Sequence, residues 1–120
     1  MKNIREFAFG TLHIEENIVI GIMKEGAHID SLSNELLISF CKNFFEEKSF
    51  GYISYRLNSY SVDPTVYMDT ANHQNLKAIA VVSENPLIKS NVLLERKFFN
   101  QPFESFTSID EAKEWLSQFI

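Results

Sequence analysis

The run Leu-Lys-Ala-Ile-Ala-Val-Val at residues 76–82 restricts the fold more than any other part of this chain. A strand with one face in water alternates apolar and polar side chains, whereas a strand covered on both faces reads as nearly continuous apolar sequence. This run is of the second kind, and it predicts a central strand with helices on both sides. The next four residues support the same reading. Ser83-Glu84-Asn85-Pro86 gives a polar exit, a capping residue and a proline suited to a first helical turn, where its missing N–H would have had no partner. Asn58 to Pro64 repeats the device, with Asp63 at the cap position.

The remaining elements fall around this frame. Residues 7–14 read as a strand whose alternation changes phase at Gly10, the mark of a bulge, and residues 18–24 read as its hairpin partner. Asp30 or Ser31 caps a helix to about residue 47, with Leu32, Leu36, Leu37, Phe40, Cys41, Phe44 and Phe45 on its apolar face. Residues 50–57 give a third strand and 64–72 a short helix. After the central strand come a helix over 86–99, with Leu87, Leu94 and Phe98 on one face beside Ile88 and Val92, and a short edge strand at 102–106. The capping box Ser108-Ile-Asp-Glu111 then opens a last helix that points Ala112, Trp115, Leu116 and Phe119 inward. The order β-β-α-β-α-β-α-β-α predicts one α/β domain over residues 1–120, a mainly parallel sheet with an N-terminal antiparallel hairpin.

Composition narrows the function. The net charge is −5, from 16 acidic and 11 basic residues, and Arg96-Lys97 is the densest basic pair, so the basic footprint of a nucleic-acid binder is missing. Cys41 is the single cysteine, which leaves no internal disulfide and no cysteine-based zinc site. The start, Met-Lys-Asn-Ile-Arg-Glu-Phe, has no apolar signal core, and no apolar run reaches the length of a membrane span, which points to a cytoplasmic protein. Phenylalanine, at 11 residues, supplies an aromatic-rich core, material for a pocket or partner surface, and exposed positions that would equally serve a homodimer.

In open α/β sheets ligands gather beyond the carboxyl ends of the strands. Three loops should meet there, at 25–30, 56–63 and 83–85. Each leads into a helix whose first turn favours a negative charge by about 0.3–1 kcal/mol. Ser59 and Ser61 are the candidate phosphoacceptors, with Arg56 as a charge partner, set against the plainer reading of a polar turn. Asp63 reads as a cap rather than a catalyst, and Arg56 as the partner of a local carboxylate before a clamp for an acidic ligand. His13, His28 and His73 lack metal-ligand spacing, and His28 shares a loop with Asp30 without an identifiable nucleophile. Phe40, Phe44, Phe45, Phe98 and Phe99 fit an ordinary core better than a lipid pocket, and no glycine-rich phosphate loop is present. No metal and no cofactor is implied.

The order of elements resembles the STAS/SpoIIAA-like domains, which share a fold with part of the CRAL-TRIO lipid-binding domains. The resemblance runs over about residues 9–120. It rests on Phe9-Gly10-Thr11, on Gly51-Tyr-Ile-Ser-Tyr-Arg56 leading into Asn58-Ser-Tyr-Ser-Val-Asp-Pro64, on Glu95-Arg-Lys-Phe-Phe99 and on Phe106-Thr-Ser-Ile-Asp-Glu-Ala-Lys-Glu-Trp-Leu116. It implies a non-catalytic regulatory or interaction module like the anti-sigma-factor antagonists, in which a serine at the start of the second main helix is phosphorylated. Their Asp-Ser-Ser-Gly pattern is replaced here by Ser-Val-Asp-Pro, and Ser61 is the nearest serine, displaced from the helix start. The expected docking residues for a protein partner are Arg56, Asn58, Tyr60 and Ser61. The alternative implied by the same resemblance is a carrier or sensor of a small apolar, lipid-like ligand.

Overall fold

A computed structural model describes residues 3–120. The elements are β1 (Asn3–Phe7), β2 (Gly10–Glu15), β3 (Ile18–Met23), β4 (His28–Ile29), α1 (Ser31–Phe45), β5 (Phe50–Tyr55), β6 (Ser61–Val62), α2 (Val66–Thr70), β7 (Leu76–Val82), α3 (Ile88–Arg96), β8 (Phe103–Phe106) and α4 (Ile109–Leu116). The main sheet has six strands in the order β1-β2-β3-β5-β7-β8. β1, β2 and β3 form an antiparallel meander, and β3, β5, β7 and β8 run parallel. β4 and β6 pair as a separate two-residue ladder. The α/β architecture, mainly parallel with an antiparallel N-terminal hairpin, is the one the sequence predicts.

The continuous apolar run is the strand Leu76–Val82, and its side chains divide between two cores. On one face Ile79 and Val81 join Leu12, Val19, Leu37, Val66 and Val92 beneath α1, α2 and α3. On the other, Ala78, Ala80 and Val82 join Ile20 and Ile53 against Ala112 and Leu116 of α4. The small alanines let α4 lie close to the sheet, as does Gly51, where a methyl would meet the Leu116 side chain.

Several boundaries differ from the sequence reading, each for a physical reason. Residues 7–14 are not one bulged strand: Phe7 pairs with Gly10, and the chain turns between them. β1 carries mostly exposed side chains, so it lacks the apolar pattern that reveals a strand. In α1 the buried stripe is Asn34, Leu37, Cys41 and Phe45, which leaves Leu32, Leu36 and Phe44 facing water. α3 is shorter than expected: Val92 is buried as read, but Glu95 also turns inward while Leu87 stays 77% exposed and Leu94 faces solvent. In α4, Ala112 and Leu116 are buried as expected, whereas Phe119 is exposed.

The caps also sort themselves. Asp30 caps α1, its Oδ1 accepting from the Ser33 N–H at 3.0 Å and from the Ser33 hydroxyl at 3.0 Å. These bonds hold the Asp30 carboxyl below its ordinary range. Ser108 caps α4, its Oγ accepting from Asp110 and Glu111 N–H. Asp63 does not cap α2 directly: its Oδ1 accepts from Thr65 N–H at 3.0 Å and from the Thr65 hydroxyl at 2.7 Å, closing a turn before the helix starts at Val66. No helix among the described residues is long and apolar enough to cross a membrane.

Candidate ligand cavity and the rim above it

The parallel register brings the three anticipated loops to one edge. Arg56 N–H donates to Val82 O, Ser83 N–H to Phe106 O, Gly26 N–H to Ser59 O, and Ser61 N–H to Ala27 O. The loop after β5 is stitched to the loop after β3 along its length. Asn58 Nδ2 donates to Met23 O at 2.8 Å, Ser59 N–H donates to Glu25 Oε2 at 2.7 Å, and Ser61 Oγ lies 2.7 Å from His28 Nδ1. Asn58, Ser59 and Ser61 are exposed on this rim.

The two remaining docking candidates turn inward. The Arg56 side chain is 7% exposed and the Glu95 side chain that it meets is 6% exposed. Arg56 NH1 donates to Glu95 Oε2 at 2.9 Å and NH2 to Oε1 at 2.5 Å, a two-pronged pair, while Nε donates to Ser54 Oγ at 3.1 Å. Tyr60 stacks under the guanidinium, with Cζ 5.8 Å from the ring centre, and its hydroxyl meets Ser54 Oγ at 2.9 Å. Tyr67 donates to Glu95 Oε1 at 2.6 Å. Burial works against the Arg56 charge, but the hydrogen bonds to Glu95 and the Coulombic pull of Tyr60, Tyr67 and Glu95 together outweigh it and hold the guanidinium charged. Arg56 and Tyr60 thus root the rim loop in the core, and Arg56 has the carboxylate partner that its position suggested.

Beneath the rim, between the sheet and the pair α1–α2, lies a cavity of about 320 Å³. Its walls are largely apolar, with Met23, Ile29, Leu37, Val66 and Ile79 among them. Ser54, Tyr60 and Tyr67 line it as well, so the Arg56–Glu95 network stands directly behind its inner wall. The exposed lining residues, Lys42, Glu46, Asn72 and Gln74, come from the end of α1 and the α2–β7 connection, beside Phe50 and Leu76 where β5 and β7 begin. The cavity thus opens at the amino ends of the parallel strands, opposite the rim where the sequence reading expected a ligand. Asn75 Nδ2 donates to Glu46 O and ties the two lips together.

Two lining groups are notable for their electrostatics. Burial pushes the Cys41 thiol up to about 12, so it is a neutral wall group. Burial, and then the Lys42 charge, lower the His73 pKa. None of the phenylalanines considered as a pocket set lines the cavity: Phe45 and Phe99 are buried core and Phe44 is exposed, while Phe50, outside that set, is the phenylalanine in the wall. Among the described residues no group of three or more His, Cys, Asp or Glu side chains is placed to hold a metal ion.

Sequence reasoning missed Glu95, Tyr67, Tyr52 and Asn34. One signal was present: Ser54 interrupts an otherwise apolar and aromatic strand, and a buried hydroxyl needs a partner.

The chain is a small α/β domain with a SpoIIAA-like fold. The same fold is found in the crystal structure of an uncharacterised protein of the DUF3478 family from Shewanella loihica PV-4, with a TM-score of 0.54 at 10% identity, covering 97% of this chain and 92% of that one. The chain belongs to the family DUF7793, a domain of unknown function, which matches residues 12–120. No curated protein matches it.

Proposed function

We propose that this domain is a non-catalytic module that holds a small, mainly apolar molecule between its sheet and α1–α2, as a carrier or sensor. The cavity of about 320 Å³ carries this reading. Protein interiors are packed to crystal-like density, and open space in a core costs stability roughly in proportion to its volume. A void of this size, apolar along its sides and polar at its inner end, has the make-up of a ligand site at the small end of the usual range. A non-catalytic role is supported by where the nucleophile-like pair sits. Ser61 and His28 meet on the exposed rim, outside the cavity, and among the described residues no carboxylate hydrogen-bonds to the His28 ring.

Native mass spectrometry of protein purified without detergent tests this, together with amide NMR shifts on titration with 1-octanol. A retained mass of lipid size, or shifts centred on α1 and α2, is the expected result. A clean apo mass with no octanol shifts would overturn it.

A second reading is favoured by the rim, where Leu57 stands exposed just after β5 beside Asn58 in the chain, and Leu87 stands exposed in the segment that follows β7. A regulatory protein partner would dock there. Leu57→Ser with Leu87→Ser should abolish capture of such a partner while leaving octanol binding intact, and unchanged capture would defeat this second reading. Substituting Arg56 or Tyr60 would not serve, because both hold the fold.

A further inference from the structure

Building on the proposal that the cavity holds an apolar ligand, we infer that it selects an uncharged one: an alcohol or amide whose polar head meets Tyr52 and Asn34, with carboxylates and phosphates rejected. Two lining groups carry this inference. Tyr52 lines the cavity and its hydroxyl has no hydrogen-bond partner among the described residues, so it is a free donor. Asn34 is 8% exposed, and its Nδ2 donates to Val66 O at 3.2 Å and to Thr70 Oγ1 at 3.0 Å. Those bonds fix the amide's orientation and leave Oδ1 as an acceptor with no donor among the described residues. Every fully enclosed side-chain polar atom among those residues has a partner, so the two unpartnered atoms are ones that reach open space. One spare donor and one spare acceptor suit a hydroxyl or an amide, which offer both functions.

The charge pattern points the same way. Arg56, the one cation of the network behind the inner wall, has its fork satisfied by Glu95 and its Nε by Ser54. The wall therefore presents dipoles without net charge. An ionised head brought there would lose its hydration and find no counter-ion, a penalty far larger than a hydroxyl meets. The charged lining residues, Lys42 and Glu46, are exposed and of opposite sign.

The test compares 1-octanol with octanoate at pH 7.5, by NMR titration of the wild type and of Tyr52→Phe. Octanol should bind at least tenfold more tightly than octanoate, and Tyr52→Phe should weaken octanol several-fold with little change for octanoate. Where Glu95→Gln folds, it should raise octanoate binding relative to octanol, because it uncovers the Arg56 charge. Octanoate binding as well as octanol, or better through its head at Lys42, would overturn the inference while leaving the ligand reading in place. Binding of neither probe would overturn both.

Discussion

Consider the effect of removing one member of the Arg56–Glu95 pair. Both side chains are almost wholly buried, at 7% and 6% exposure, and they share two hydrogen bonds of 2.9 and 2.5 Å. A buried pair contributes little beyond what apolar side chains of the same volume would, yet breaking it leaves one charge in the core without compensation, at a cost of about 3–5 kcal/mol. Glu95→Leu and Arg56→Met should each cost about that much. Domains are stable by only about 5–15 kcal/mol, so either single variant removes a large fraction of the total. If the effects were independent, the double variant would lose roughly 6–10 kcal/mol and fail to fold. The geometry predicts otherwise. With both charges gone, what remains is the lost acceptor of Tyr67 and the lost donor to Ser54, at about 1 kcal/mol each. The double variant should therefore be more stable than either single one. Urea unfolding of all four proteins, with the slope checked for constancy, measures the coupling. Single costs below about 1 kcal/mol, or additive ones, would refute the claim that this is a desolvated pair on which the rim loop is anchored.

Two further perturbations probe the cavity walls. Because burial raises the Cys41 thiol to about 12, the folded protein keeps a proton that the unfolded chain releases above about pH 8.5. Stability should therefore fall as pH rises through that value, by about 1.4 kcal/mol at pH 9.5, and Cys41→Ala should remove most of this slope in urea titrations run from about pH 8 to 9.5, below the range where the buried Tyr52 and Tyr67 add their own. At Gly21 a methyl would overlap the Tyr52 hydroxyl that lies over the backbone. Gly21→Ala should cost about 1–3 kcal/mol, less in a Tyr52→Phe background, and should weaken octanol binding; equal costs in both backgrounds would argue against that contact.

The sequence was most legible where one physical demand acts alone. β7 is read residue for residue, because only a strand buried on both faces is apolar throughout. The Ser108 cap is equally plain, since its hydrogen bonds are local. Legibility fails where the partner is distant in the chain. In Leu93-Leu94-Glu95-Arg96 the leucines look buried and the carboxylate looks solvated, yet Glu95 is the residue that enters the core. Its inward turn depends on Arg56, a residue on another element, and no helical periodicity encodes that. β1 escapes notice for a different reason: an edge strand satisfies its backbone by pairing with β2 and has little need of apolar side chains. The cavity is the least visible feature, because it arises where side chains from α1, α2, β5 and β7 do not meet.

The chamber's doorway and the looped crest stand at opposite poles of the molecule, with Ser54 and Tyr60 serving as floor for one and footing for the other. A guest entering from below and a protein settling on top would never compete for the same opening. If either shifts those two hydroxyls, the other must respond with equal energy, since coupling between two binding events is reciprocal. Loading the domain would then be a message that its crest can deliver.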